Sequence, residues 1–315
     1  MERTLGAGVL RVTPIGLGLA ALGRPGYLNL GHGDDLGVDK SVAALRAHAH
    51  GVLDAAYEGG VRYFDAARSY GRAEEFLASW LEERGIEPGA VSVGSKWGYS
   101  YTADWQVDAD PPEVKDLSAA TLRRQLAETR ERLGPWLSLY QIHSATVESG
   151  VLDDPDVLAE LDRLRASGVA VGLTVTGTDQ AETIERALER GGFDTVQATY
   201  NLLERAAGPA LQRAHEAGLG VIVKEAVANG RLTARGDCAP LRQAAARLGA
   251  AEDVVAIAWV LAQPWVDVVL SGAATAAQLR SNLEALHLNL DAAELADLAE
   301  PSDRYWSTRS ELSWT

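Results

Sequence analysis

The chain has 315 residues, of which 47% are hydrophobic, and a formal net charge of −15. That length suits one large barrel domain or two small ones, and the acidity argues against phosphate backbones and anionic lipid surfaces as partners. A single cysteine, Cys238, excludes an intrachain disulfide. The first residues lack the apolar core of a signal peptide, and no apolar run approaches the ~20 residues that span a bilayer. A cytoplasmic protein is therefore expected. Arginine far outnumbers lysine, and two of the four lysines, Lys96 and Lys224, end apolar runs.

Eight short apolar runs alternate with longer amphipathic segments. The first run, 14–18, leads into a polar, glycine-rich insertion (22–40) and a helical pattern over 41–59. The second, 61–64, precedes a helix over 72–85. The third, 91–95, is followed by a long loop (97–117) and a helix over 118–133. Runs at 139–142, 169–173, 195–198, 220–223 and 266–270 precede helical patterns over 155–167, 179–191, 208–217, 239–263 and 275–286. A tail from Pro301 completes the chain. Near-continuous apolarity over this length fits parallel strands covered on both faces, and spacings of three and four fit the helices that cover them. Ser118, Asp154 before Pro155, and Thr178 are expected helix N-caps, and glycines close several helices.

Eight β-then-α units predict an α/β protein built as a single (β/α)8 TIM barrel over 1–315, with long loops after strands 1 and 3 and a C-terminal tail. The alternative is an open doubly wound sheet, which would carry a G-x-G-x-x-G turn after its first strand. Gly16-Leu17-Gly18-Leu19-Ala20-Ala21 lacks the third glycine.

In such barrels the working residues sit at the C-terminal ends of the strands. The second strand ends in Asp65, followed by Tyr70; the third ends in Ser95-Lys96; the fourth ends in Gln141-Ile142-His143. A carboxylate, a phenol, an ammonium and an imidazole thus converge on one mouth. Each has an ordinary structural reading too: an Asp capping a turn, a Tyr in the core, a His as a satisfied buried group. A buried lysine without an acidic partner is costly, and Asp65 is the partner at hand for Lys96.

Phe64-Asp65-Ala66-Ala67-Arg68-Ser69-Tyr70-Gly71 resembles the F-D-T-A-x-x-Y-G signature of aldo-keto reductases. Ser95-Lys96 resembles that family's strand-3 lysine, and Leu139-Tyr140-Gln141-Ile142-His143 its strand-4 histidine motif. The resemblance runs from about Leu5 to Asn289. It implies an NAD(P)(H)-dependent oxidoreductase that reduces an aldehyde or ketone, with Asp65, Tyr70, Lys96 and His143 as the catalytic tetrad. Tyr70 would be the general acid. A free phenol has a pKa near ~10 and is a sluggish donor at neutral pH. Lys96 is expected to lower that value, with Asp65 holding the lysine charged and His143 polarising the carbonyl oxygen. The hydride would come from the cofactor.

The cofactor positions implied by the resemblance are Gly18, Thr174, Gln197, Lys224, Gly272, Gln278 and Asn282. Gln197 lies in a segment similar to the family's Q-x-x-Y-N-L-L run. Thr174-Val175 stands where many members carry Ser-Asn, so one hydrogen-bonding side chain is missing. Lys224 stands where a ring usually stacks on the nicotinamide. It would cover the ring with its methylenes, reach toward substrate or phosphate, or pair with Glu225 at the surface. The run from Gly272 through Gln278 to Asn282 resembles the family's adenosine-binding segment. Ala273 and Ala274 occupy positions where many NADP-preferring members place a cation, and Arg280 is the nearest one. Family habit favours NADP(H); NAD(H) stays open.

Aromatic residues of the long loop and tail, namely Trp97, Tyr99, Trp105, Trp306 and Trp314, are the expected substrate lining. They suit a small carbonyl compound or a sugar. An NAD-linked sugar or alcohol dehydrogenase working in the oxidative direction is one alternative. A non-catalytic, cofactor-sensing regulatory subunit on the same fold is another, which the complete tetrad disfavours. A metal-dependent barrel hydrolase would need histidine pairs at strand ends, which the six histidines do not supply.

Overall fold

The structure, a computed structural model, describes residues 3–6, 8, 10–290, 295 and 297–315. A short hairpin, β1 (Arg3–Leu5) and β2 (Leu10–Val12), opens the chain. The alternation of strands and helices then begins with β3 (Ile15–Gly18), α1 (His32–Asp35), α2 (Val42–Glu58), β4 (Tyr63–Asp65), α3 (Ala73–Glu83) and β5 (Ser92–Trp97). A second hairpin follows, β6 (Tyr99–Tyr101) and β7 (Glu113–Lys115). Next come α4 (Ala119–Leu133), β8 (Leu137–Ala145), α5 (Pro155–Ala166), β9 (Ala170–Val175), α6 (Gln180–Arg190), β10 (Thr195–Thr199) and α7 (Gly208–Glu216). The last elements are β11 (Gly220–Lys224), α8 (Ala239–Leu248), α9 (Glu252–Leu261), β12 (Val268–Ser271), α10 (Ala276–Glu284) and α11 (Ser302–Ser310).

Eight parallel strands close into a barrel in the order β3-β4-β5-β8-β9-β10-β11-β12, with β12 pairing β3. This is the expected (β/α)8 architecture, and all eight apolar runs lie in it. Among the described residues, no helix is long and apolar enough to cross a membrane.

Two layers of apolar side chains hold the barrel together. One lies between strands and helices and includes Phe64, Phe76, Trp80, Val196 and Trp259. The other fills the barrel's N-terminal end, where Leu5, Leu10 and Val12 of the first hairpin pack on Tyr63, Leu139, Ile222 and Val268. That hairpin plugs the end opposite the site. Its strands of three residues each are too short to show a period in the sequence.

The structure revises several expectations. The helix expected over 239–263 is two helices, α8 and α9, broken where Gly249 caps α8 in the left-handed region at φ 64°. Ser118 and Asp154 cap their helices as expected. Thr178 does not: Asp179 is the boundary residue of α6, and no side chain caps that helix. The tail carries a helix of its own, α11. The long loop after β5 is largely the β6–β7 hairpin.

Candidate active site

Asp65, Lys96, His143, Thr174, Gln197, Lys224 and Ser271 come from the C-terminal ends of seven different barrel strands. Parallel strands in a closed barrel bring these ends to one rim, which is why residues far apart in sequence meet there. A cavity of about 350 Å³ opens at this rim. Gly18, Asp65, Tyr70, Tyr99, His143, Thr174, Gln197, Lys224 and Gly272 all line it, as does Trp314.

The Asp65 carboxylate is its hub. It is buried and ion-paired with the buried Lys96. Its other oxygen accepts from Tyr63 Oη (3.0 Å), Gln197 Nε2 (3.1 Å) and Gln141 Nε2 (3.2 Å). Tyr63 and Asp65 are two apart on β4, so they share its inner face. Gly94 on the neighbouring strand makes room for the phenol, since a Cβ there would lie 2.6 Å from Tyr63 Oη. Lys96 also donates to the Ala66 carbonyl (2.9 Å), and its Nζ lies 4.9 Å from the centre of the Tyr70 ring.

Tyr70 sits on the turn between β4 and α3. A Cβ on Gly23 would come within 2.1 Å of the Tyr70 carbonyl, so only glycine lets the insertion after β3 brace that turn. Burial, and after it the Asp65 charge, raise the Tyr70 phenol above its ordinary value. This reverses the expected direction. The Lys96 cation is committed to Asp65, and desolvation of the phenolate outweighs what remains of its pull. The cation that most favours the phenolate is instead Arg24, whose guanidinium lies 5.4 Å from the Tyr70 ring.

His143 packs edge-on against Tyr70 and Tyr99, with ring centres 5.5 and 4.9 Å apart. Burial, followed by the charges of Lys96 and Lys224, holds its pKa well below 6.5. The imidazole is therefore neutral at neutral pH. Its Nδ1 is buried and has no hydrogen-bond partner among the described residues.

Thr174 and Gln197 are both partly committed within the protein. The Thr174 hydroxyl accepts from the Ser144 N–H (2.7 Å), which leaves its own proton to donate. Gln197 donates to Asp65, which leaves its Oε1 to accept. One donor and one acceptor side by side complement a primary carboxamide. Lys224 is half-buried and lines the cavity. Its Nζ donates to Thr199 Oγ1 (2.7 Å), and burial lowers its pKa to about 8 against the pull of Glu225. Glu225 in turn receives a bidentate contact from Arg309 of α11, with Nη2 on Oε1 (2.5 Å) and Nε on Oε2 (3.0 Å).

A second cleft, also about 350 Å³, runs from the first toward α10 and shares Asn29, Val227 and Gly272 with it. Gln278 and Asn282 line this cleft, whereas Arg280 does not. The two clefts form one track from the tetrad to the outside of the barrel. Together they line the track with the Thr174 hydroxyl, the Gln197 amide, Gln278 and Asn282, a donor and acceptor set that could hold a dinucleotide.

Three of the expected lining residues do not reach the cavity. Trp97 is fully buried at the end of β5. Trp105 packs on Phe76 and donates its indole N–H to the Lys40 carbonyl (2.7 Å). Trp306 packs on Tyr305, with Arg309 over its ring. An indole at a mouth is as useful for fixing the loop that carries it as for lining a pocket, and these three do the former. The sequence also conceals Arg24, which is buried, donates to the Ser69 carbonyl and Glu113 (both 3.0 Å), and lies 4.4 Å from the Trp314 ring. A lone arginine between Gly23 and Pro25 carries no pattern. Gln141 was findable: it lies two residues before His143, hence on the same face of β8.

No group of His, Cys, Asp and Glu among the described residues is arranged to hold a metal ion. His48 and His50 have H-x-H spacing, but they lie on α2 and bond to Ala274 and Ser79 respectively.

Comparison with known proteins places the chain by sequence and by fold. The chain is 26% identical over 284 residues to the NADH-specific methylglyoxal reductase of Escherichia coli, covering 79% of this chain and 86% of that protein. It is 26% identical over 289 residues to the D-threo-aldose 1-dehydrogenase of a Pseudomonas species, covering 80% and 87%. An aldo-keto reductase from Bacillus halodurans, solved in its holo form, has the same fold at a TM-score of 0.73 and 21% identity, over 95% of this chain and 96% of that one. The Aldo/keto reductase family model matches residues 14–303. This chain belongs to the aldo/keto reductase family.

Proposed function

We propose that this protein is a nicotinamide-dependent oxidoreductase that interconverts a small aldehyde or ketone and its alcohol, with Tyr70 as the proton donor. The observation that carries this reading is the buried Lys96–Asp65 pair set against the Tyr70 ring at the mouth of a cavity that His143 also lines.

A carbonyl acquires negative charge on oxygen as it is reduced, and that charge needs a proton. Tyr70, with its pKa raised, keeps its proton through neutral pH and so has one to give. The phenolate left behind would have the Arg24 guanidinium near its ring, while the Lys96 charge there is balanced by Asp65. Neutral His143 can donate a ring N–H to the same oxygen without bringing a full charge into the site. Thr174 and Gln197 would hold the carboxamide of the cofactor, and the cleft along Gln278 and Asn282 its adenosine end. When bound, the nicotinamide supplies or accepts the hydride. Lys224 cannot stack as a ring does; its methylenes would cover one face of that site.

The named relatives include both a reductase and a sugar dehydrogenase. The oxidative direction, on an aldose or a simple alcohol, is therefore a second reading for the same residues. The test is to titrate the purified protein with NADH and NADPH by fluorescence and then to assay a panel of aldehydes, ketones and sugars in both directions. Binding of neither nucleotide would sink the proposal. Turnover in one direction only selects between the two readings.

A further inference from the structure

Three segments meet at one carboxylate beside the second cleft. Asp35, on α1 of the insertion after β3, accepts both arms of the Arg235 guanidinium (2.5 and 2.6 Å). It also accepts from Gln278 Nε2 on α10 (2.9 Å). Arg235 belongs to the loop after β11 and donates in addition to the Leu30 carbonyl (2.8 Å). The Leu30 N–H bonds to the Asn229 carbonyl (3.0 Å), and Asn229 Nδ2 to Asn29 Oδ1 (3.2 Å). The insertion is thus clasped across the cleft through Asn29, Leu30 and Asp35. Burial works against the Asp35 charge, but hydrogen bonds from Arg235 and Gln278 outweigh it and hold the carboxyl below its usual range.

The charges around this cleft are few. Asp35, Asp253 and Arg235 line it. Asp253 accepts from Asn282 (2.7 Å). Arg235 is the one cation among the described lining residues, and both of its arms are already on Asp35. A phosphate monoester entering here meets two carboxylates and a cation that must first leave its partner. A ribose diol meets the Asp35 carboxylate, whose three donors leave Oδ1 a lone pair with which to accept a hydroxyl. Ala273 and Ala274, at the start of the adjoining turn, offer no side-chain donor.

We propose that Asp35 is the residue that sets nucleotide selectivity, accepting an adenosine ribose with a free 2′-hydroxyl and repelling one that carries a 2′-phosphate, so that the protein uses NAD(H) over NADP(H). This deepens the dinucleotide reading above and rests on it. The residue lies on the insertion after β3, far in sequence from the run that carries Gln278 and Asn282.

The test is equilibrium binding, independent of turnover. The wild-type protein should bind NADH at least about tenfold more tightly than NADPH, the size of one unfavourable charge contact. Competition should follow the same order, with 5′-AMP displacing NADH and adenosine 2′,5′-bisphosphate failing to. Asp35→Asn keeps the shape, removes the charge and releases Arg235; the NADH/NADPH ratio should fall to within about threefold of unity. Adding Arg235→Ala should take back the gain in NADPH affinity. Circular dichroism checks that each variant is folded, and the 5′-AMP competition needs no variant at all. Equal or tighter binding of NADPH by the wild type, or a ratio unmoved in Asp35→Asn, would overturn Asp35's role while leaving the oxidoreductase reading intact. Binding of neither dinucleotide overturns both.

Discussion

Lys96 meets Tyr70 at the ring rather than serving as a free cation beside it. Its Nζ is 4.9 Å from the ring centre, and its hydrogen bonds go to Asp65 and to the Ala66 carbonyl. The lysine and the carboxylate therefore act as one neutral unit under the phenol, and the phenol stays protonated. That arrangement favours storing a proton on Tyr70 over ionising it.

Replacing Tyr70 with Phe removes the stored proton and little else. Carbonyl reduction should fall by about 10²–10⁴, the usual contribution of a positioned acid. Nucleotide affinity, measured by fluorescence titration, should stay within about twofold, because in the proposed role Tyr70 bears on the substrate oxygen and not on the nucleotide. Full activity in Tyr70→Phe would remove the residue from its role.

The buried pair should show its coupling in stability. Lys96→Met leaves the Asp65 carboxylate buried without its cation and should cost about 3–5 kcal/mol in urea unfolding. Asp65→Asn strands the ammonium and should cost a similar amount. The double variant should recover much of the loss, while activity stays absent in all three. Additive losses in the double-mutant cycle would show that the pair is not coupled.

Two buried histidines make stability depend on pH. Burial lowers the His32 pKa from 6.5 to about 4, against the charge of Asp35 and helped by Lys40, Arg24 and His48. His143 is lowered in the same direction. Both are neutral when folded, so their contribution is complete above pH 6.5 and is lost as pH falls below it, for His32 through about 4. For His32 the shift is worth up to roughly 3 kcal/mol across that window. Urea unfolding of wild type and His32→Leu, compared at pH 7.5 and 4.5, should show a smaller pH effect in the variant. Equal slopes would contradict it.

The tail is tied to the barrel through Glu225 and Arg309. Arg309 holds the Glu225 carboxyl at about 2 although burial opposes its charge. Arg309→Met should destabilise by about 1–3 kcal/mol, less than a fully buried pair because the arginine is partly exposed. It should also speed amide exchange in 302–310 before the barrel strands are affected. Unchanged exchange there would place the anchor of α11 elsewhere.

The barrel is legible in the chain because eight buried parallel strands leave eight apolar runs, and the helices between them keep a regular spacing of apolar positions. The convergence of Asp65, Lys96 and His143 is legible because strand ends in a closed barrel share a rim, so position along each strand locates them. What lies off the strands is not. Arg24, Asp35 and Arg235 sit in loops without a period, and their partners Glu113, Gln278 and Leu30 lie far along the chain. Folding alone brings them together. Electrostatic balance is equally a property of the assembled site: residue types suggest that Lys96 lowers the Tyr70 pKa, whereas burial and the pairing of Lys96 with Asp65 raise it. Side-chain chemistry fixes which charges are present, and the distances and burial created by the fold decide which of them are already spent.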